Sequence, residues 1–281
     1  MYRMVNIGMG FKLDAKETTE PENSTIDADI KNNETKNDFT GMNRVNSGIQ
    51  GLDELMNGGF PKGNIVLISG TPGTGKTIVC FQFIEAGLKN GENCLYITSD
   101  QPIKNLISEA NQLQFHFQPE IDKGKLNIVY LDLDKQNLHK DLEEIVKSGN
   151  YDRIVMDSLS PVTELPMWMV NNGKEVIPSS NSMTTTTIPL DSIQATRLHL
   201  RHLMKIIKEE NSTTMVTTEI PEGSRDLSRD SISEFLVDGI LVLGLDTTMG
   251  RRKLTIRKMR GTKHSLKPMD VEITEHGIRL H

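Results

Sequence analysis

Eight residues, Gly70-Thr71-Pro72-Gly73-Thr74-Gly75-Lys76-Thr77, constrain this chain more than any other stretch. They follow an apolar run, Ile65-Val66-Leu67-Ile68-Ser69, and precede a helix-like one, Ile78-Val79-Cys80-Phe81-Gln82-Phe83-Ile84. The pattern G-x-x-x-x-G-K-T thus stands in the strand–loop–helix setting that a phosphate-binding loop requires. Three glycines without a Cβ let the backbone fold into a nest of inward N–H groups, and a helix starting near Lys76 adds its positive end. In such a loop Lys76 reaches the β- and γ-phosphates and the Thr77 hydroxyl ligates Mg²⁺. An ordinary Gly-rich strand-to-helix turn would need neither every fixed position nor both flanks. The expected ligand is a nucleoside triphosphate with Mg²⁺, cradled by Gly70, Thr71, Pro72, Gly73, Thr74, Gly75, Lys76 and Thr77.

The rest of the chain bounds that expectation. At 281 residues, 36% hydrophobic and 25% charged, it suits one α/β domain with appendages or two small domains, and it holds a single phosphate loop. A net charge of -6 provides no global field for nucleic acid or an anionic membrane. Cys80 and Cys94 fall in apolar segments, where thiols behave as small hydrophobes, and they point to a reducing, cytoplasmic setting. No stretch approaches the roughly 18 uninterrupted apolar residues of a membrane span.

Residues Lys12 to Thr40 are rich in Glu, Asp, Asn, Thr and Lys, a composition that cannot offset its own ordering entropy, so residues 1–41 read as a disordered polar leader. From Met42 the texture changes to a folded domain running to residue 281. A turn and short helix over Val45 to Leu55 and a loop over Gly58 to Gly63 lead into the first strand. Beyond the phosphate loop, strands are predicted at Cys94–Thr98, Leu126–Leu131, Arg153–Met156 and Thr213–Thr218, and helices at Ile103–Leu113, Leu138–Val146 and Ser192–Glu209. This alternation implies a mainly parallel sheet with helices on both faces. After Gly239 the pattern becomes strand after strand, at Ile240–Leu245, Lys253–Lys258 and Val271–Thr274, which suggests a C-terminal antiparallel β extension. Residues 163–190 interrupt the alternation as a long inserted loop rich in Ser and Thr, with an apolar knot at Met167-Trp168-Met169-Val170.

Three further places carry chemistry. Asp157 ends the apolar run Arg153-Ile154-Val155-Met156, where an acid beside a phosphate loop completes the Mg²⁺ shell begun by Thr77; a strand-ending cap is the alternative. Asp100, just past the strand ending at Thr98, is the candidate for orienting attacking water, in competition with a role as a solvent-facing helix cap. Lys258 and Arg260, two apart in Arg257-Lys258-Met259-Arg260-Gly261-Thr262-Lys263-His264, share a face of a strand and could present charge to a phosphate across a subunit boundary, or form a solvated face. His199 and His202 share a helix face at i, i+3; without a third ligand, a surface or inter-helix role is favoured over metal binding.

These features together resemble the KaiC-like branch of the RecA-superfamily ATPases, from Asn43 to the end of the chain. The resemblance rests on Ser47 to Leu55 with Gly58 to Gly63, the GTPGTGKT loop, the RIVMDSLSP strand end, Phe235-Leu236-Val237-Asp238-Gly239, the KMRGTKH run, and Glu275-His276-Gly277-Ile278. It implies a RecA-like P-loop core, ATP and Mg²⁺ as cofactors, and a homo-oligomer, a hexameric ring, with nucleotide at the subunit interfaces. It further implies that Lys258, Met259, Arg260, Thr262 and His264 reach the nucleotide of the adjacent subunit. Two departures stand out. Where the family usually has a Glu-Glu pair, this chain has Asp100-Gln101, and an Asp loses about 1.5 Å of reach, so binding with slow hydrolysis is expected. Where the second domain of a tandem relative autophosphorylates a Ser-Thr pair, this chain reads Ser231-Ile232-Ser233-Glu234-Phe235, so autokinase activity is not expected.

The leading functional expectation is a signalling ATPase ring acting on a protein partner that the sequence does not name. A RecA- or RadA-like DNA-binding recombinase paralogue is a competing class, because the inserted loop and the Arg225/Arg229 loop occupy the places where such proteins line a DNA channel; the insert lacks a basic track. A scaffold that senses ATP without cleaving it is the third.

Overall fold

The computed structural model describes residues 43–134, 138–164, 193–209 and 212–281. The leader, the Met167–Val170 knot and nearly all of the 163–190 insertion lie outside the described residues.

Two short strands, β1 (Arg44–Val45) and β2 (Phe60–Pro61), pair antiparallel ahead of the main sheet. The sequence reading treats Gly58 to Gly63 as loop throughout. The pairing forms because Arg44 Nη1 donates to the carbonyls of Met56 and Gly59, both at 2.9 Å, and the Lys62 N–H donates to the Asn43 carbonyl at 2.9 Å. Between the two strands, Ile49, Leu52 and Met56 are buried.

Among the described residues the main sheet has nine strands. They are β3 (Ile65–Gly70), β4 (Cys94–Thr98), β5 (Leu126–Tyr130), β6 (Arg153–Asp157), β7 (Thr213–Glu219), β8 (Gly239–Asp246), β9 (Arg251–Met259), β10 (Met269–Thr274) and β11 (Gly277–Leu280), in the spatial order β11-β10-β9-β8-β3-β7-β6-β4-β5. The six strands from β8 to β5 in that order are parallel to one another; β9 pairs antiparallel with β8, and β10 and β11 continue antiparallel. β8 therefore departs from the sequence expectation, which groups it with the antiparallel extension. The Asp238 N–H donates to the Ile65 carbonyl at 2.9 Å, which starts β8 beside the start of β3 and gives it the same direction.

Helices cover both faces of the parallel part. One face holds α1 (Lys76–Lys89) and α2 (Ile103–Gln112), with the short α3 (Gln118–Asp122) beside them; the other holds α4 (Leu138–Lys147), the one-turn α5 (Ser160–Thr163) and α6 (Ile193–Glu209). A last turn, α7 (Ser233–Leu236), precedes β8. The period-2 alternation of each strand divides the core: Val66 and Ile68 of β3 join Phe81, Phe83 and Ile84 of α1, whereas Ile65 and Leu67 join Leu142 of α4 and Leu203 and Ile207 of α6. α1 is buried on most of its surface, as its nearly continuous apolar sequence requires. In α4 the buried residues Leu138, Leu142 and Val146 form a single stripe.

Two buried polar side chains tie the periphery to α1. The Gln82 amide donates to the carbonyls of Gly48 (3.2 Å) and Ile278 (2.8 Å) and accepts from the Ile278 N–H (2.8 Å), so a helix side chain pairs with β11 as a strand would. Arg153, fully buried, donates to the carbonyls of Asn46 and Phe83, both at 2.8 Å, and is paired with Glu92 at 2.5 Å.

Candidate nucleotide site

The phosphate loop leaves β3 at Gly70 and enters α1 at Lys76. Gly75 caps the helix with φ of 101°, and a Cβ on it would stand 3.0 Å from Ile278 Cδ1, so both conformation and space call for glycine. Gly73 has φ of 77°. Thr74 is buried and its hydroxyl donates to the Thr71 carbonyl at 2.9 Å, closing the loop on itself, while Pro72 is exposed at its rim.

Strand alternation decides what faces the loop. Asp157 on β6, Thr217 and Glu219 on β7 and Tyr96 on β4 share the α1 side of the sheet. β7 lies between β3 and β6, so Asp157 is not on the strand next to the loop, yet its carboxylate reaches across. It accepts hydrogen bonds from Thr77 Oγ1 (2.9 Å), Tyr96 Oη (2.7 Å) and Thr217 Oγ1 (2.5 Å). Thr77 and Asp157 are hard oxygen donors held against each other, the chemistry Mg²⁺ prefers. Among the described residues no three His, Cys, Asp or Glu side chains form a metal cage. Mg²⁺ typically takes one or two carboxylates and completes its shell with water and substrate phosphate. The residues present therefore fit Mg²⁺ with a polyphosphate.

Lys76 is nearly buried. Its ammonium donates to the carbonyls of Gly70 (3.0 Å) and Thr71 (3.2 Å) and lies 4.0 Å from Glu219. Burial pulls it below the usual lysine range, opposed by the carboxylates of Glu219, Asp157 and Asp100.

Asp100 stands at the same end of the sheet. Its Oδ1 accepts from the hydroxyls of Ser99 and Ser158, both at 3.2 Å. Burial raises its proton affinity, the two serine hydroxyls lower it, and the charges of Asp157 and Glu219 raise it further. The serines are interlocked in turn: the single Ser99 hydroxyl proton is shared between Asp100 Oδ1 and the nearer Ser158 carbonyl (2.7 Å), and Ser99 Oγ accepts from the Ser158 N–H (3.2 Å). Gln101 turns away, its amide donating to Glu109 on α2 at 3.0 Å.

The basic turn lies at the opposite end of the molecule. Lys258 pairs with Ile240 and Met259 with Gly239, and Gly239 is in register with Val66 at the start of β3. Gly70 lies four residues further along, about 13 Å in the strand direction, so Lys258 and Arg260 do not reach the loop of their own chain. A one-residue bulge at Arg257 breaks the alternation after Leu254 and Ile256, so that Met259 rather than Lys258 joins the core. Lys258 Nζ donates to the carbonyls of Glu234 (3.1 Å) and Val237 (2.6 Å), and Arg260 pairs with Asp238 at 3.1 Å. The side chain of Met259 is buried, Thr262 accepts a hydrogen bond from Arg44 at 3.0 Å, and His264 Nδ1 lies 3.1 Å from the Thr262 carbonyl.

Residues that the sequence reading passed over also belong here. Tyr96, Thr217 and Ser158 position the two acids, and Glu219 stands beside the loop. Arg252, near the β8–β9 hairpin, donates from Nε to the Gly73 carbonyl at 3.2 Å. The basic run Arg251-Arg252-Lys253 was the available signal for the last.

The histidines of α6 gain a third neighbour from α4. His139 lies 4.6 Å from His199 and 4.7 Å from His202, ring centre to ring centre, edge to face in both cases. Burial holds His139 down at about 3 and His199 at about 4. The three rings form an inter-helix contact between α4 and α6. Cys80 and Cys94 are buried free thiols pushed up by burial, Cys94 to about 12.

The family model described as "ATPase: KaiC" matches residues 45–188 and 181–281. The chain belongs to the KaiC ATPase family. Within it, a UPF0273 protein of Pyrococcus horikoshii is 31% identical over 245 residues, covering 85% of this chain and 94% of that protein. The circadian clock oscillator protein KaiC of Parathermosynechococcus lividus is 29% identical over 269 residues, 95% of this chain but 46% of that protein, so this chain spans about half the length of the clock relatives it matches. Among solved structures, a KaiC-like protein from the hyperthermophilic archaeon Pyrococcus horikoshii superposes with a TM-score of 0.70 at 33% identity, over 85% of this chain and 99% of that one. KaiC-family membership implies a nucleotide, and the RecA-like fold with its antiparallel C-terminal strands is the fold of that neighbour. Among the described residues no helix is long and apolar enough to cross a membrane.

Proposed function

We propose that this KaiC-family chain binds Mg·ATP and hydrolyses it slowly as a cytoplasmic ring oligomer, a hexamer, whose nucleotide state regulates a protein partner. One observation carries the reading: the phosphate loop with Asp157 and Asp100 lies at one end of the sheet, and Lys258 and Arg260 lie at the other. Two complementary half-sites at opposite ends of one sheet are satisfied by head-to-tail contacts, which give a ring when the rotation between neighbours closes.

Thr77 and Asp157 would hold Mg²⁺, which would supply positive charge against the bound phosphates. The chain's own groups do the rest. Lys76 exchanges the carbonyls of Gly70 and Thr71 for phosphate oxygens. Asp100, with Oδ1 held by two serines, has Oδ2 to orient water and accept its proton, and its raised proton affinity suits that task. Arg260 and Lys258 of a neighbouring copy would meet the charge developing on the transferred phosphoryl group. The short Asp100 side chain keeps turnover slow.

Size-exclusion chromatography with and without Mg·ATP, coupled to a turnover assay, tests this. Ring assembly with slow turnover supports the reading, ring assembly with none reduces the protein to an ATP-sensing scaffold, and no response to nucleotide overturns both. An Asp100→Ala variant with unchanged turnover would remove Asp100 from its role.

A further inference from the structure

Glu219 is the last residue of β7, the strand between the phosphate loop and Asp157, and it pairs in register with Gly70. Its N–H donates to Ser160 Oγ at 2.9 Å, and its half-exposed carboxylate lies 4.0 Å from Lys76 Nζ. Of the three acids around Lys76, Glu219 is the one that most offsets the burial of the ammonium. Asp157 is already occupied by three hydroxyls and Asp100 by two, whereas Lys76 is the only charged partner of Glu219 among the described contacts.

The residue after Glu219 is tied to the same spot. The Ile220 N–H donates to the Gly70 carbonyl at 3.3 Å, the carbonyl that also accepts from Lys76 Nζ. From there an irregular segment runs to α7, pinned where the Arg229 N–H meets Thr218 Oγ1 at 3.3 Å and where the Arg229 guanidinium pairs with Glu164. It ends at Glu234 and Val237, whose carbonyls hold Lys258. One stretch of backbone thus joins the chain's own phosphate loop to the basic group at the far end of the sheet.

We propose that Glu219 is a latch on Lys76: a positioning residue that holds the ammonium away from phosphate, gives it up when nucleotide arrives, and so loosens the backbone that starts at Ile220. The inference rests on the nucleotide reading above. A phosphate chain competes for Lys76 and brings negative charge to the place where Glu219 stands, so the carboxylate both loses its partner and is repelled. Glu219 shifts the equilibrium because its interaction with Lys76 differs between the two states.

The test uses the full chain as wild type, Glu219→Gln and Lys76→Ala. Without nucleotide, hydrogen exchange at Ile220 and at residues 222–224 should be faster in both variants than in wild type, by about threefold or more, and Mg·ATP should move wild type in the same direction. Calorimetric titration should find Glu219→Gln binding Mg·ATP about two- to fivefold tighter, the range expected for losing a competing, partly exposed ion pair. Unchanged exchange in both variants overturns the latch, as does equal or weaker Mg·ATP binding by Glu219→Gln. If wild type takes up no Mg·ATP, the nucleotide reading falls, and the nucleotide-free exchange of the two variants alone decides whether the latch exists.

Discussion

Thr77 and Asp157, eighty positions apart, are joined by a 2.9 Å hydrogen bond that crosses over β7. The bond presets two oxygens for one cation. Thr77→Val keeps the shape and removes the hydroxyl, so Mg²⁺-dependent tightening of ATP binding should fall by on the order of tenfold, while binding in EDTA stays nearly unchanged. Titration calorimetry with and without Mg²⁺ checks this, and equal losses in both conditions would refute it.

Asp100 reaches less far than a glutamate would. Asp100→Glu should raise turnover by about ten- to a hundredfold at little cost in Mg·ATP affinity, read as kcat separately from KM. A slower Asp100→Glu enzyme would show that Ser99 and Ser158 already place the shorter carboxylate well.

Arg260 is paired within its own chain to Asp238 and stands at the wrong end of the sheet to touch its own nucleotide. Arg260→Ala should lower turnover by roughly a thousandfold. The decisive measurement mixes Arg260→Ala with Lys76→Ala, each inactive alone: subunits that act on a neighbour's nucleotide regain part of the activity on mixing. No recovery in verified mixed oligomers would place Arg260 outside the reaction.

Gln82 replaces a strand neighbour for Ile278 and also holds Gly48. Gln82→Ala leaves buried backbone groups of β11 unpaired and should cost about 2–3 kcal/mol, lowering the thermal midpoint by roughly 5–10 °C. Differential scanning fluorimetry suffices, and a shift under two degrees would contradict the assignment.

His139 and His199 titrate at about 3 and about 4 in the folded chain against an ordinary 6.5. Because the unfolded chain takes up these protons first, stability is complete above pH 6.5 and declines as pH falls toward 4. His202 adjoins His139 from the same helix as His199. Unfolding free energies from urea titrations at pH 7.5 and pH 5 should differ by on the order of 2–4 kcal/mol, and a His139→Phe variant should flatten the dependence by about half. An unchanged slope in His139→Phe would exclude the trio as its source.

Much of this was legible from residues alone. The phosphate loop and the strands at Cys94, Arg153 and Thr213 could be read because their signals are local: glycines at fixed spacing before a Lys-Thr pair, and apolar runs bounded by turns. β11 could not be, because its four residues carry too weak a pattern and its partner includes a glutamine side chain from α1. The direction of β8 could not be either, since it depends on a hydrogen bond between Asp238 and Ile65, far apart in the chain.

The site divides the same way. Local chemistry in the chain determines the ligand class, since Gly73, Gly75, Lys76 and Thr77 act within one turn of backbone. Which acids face that ligand depends on strand order and on the pleat: β7 intervenes, Thr217 and Tyr96 support Asp157, and Glu219 emerges beside Lys76. The separation of the loop from Lys258 and Arg260 is likewise a matter of antiparallel return and a single bulge at Arg257. Long-range register carries no mark in the run of residues, because a strand's neighbours are chosen by packing across the whole sheet.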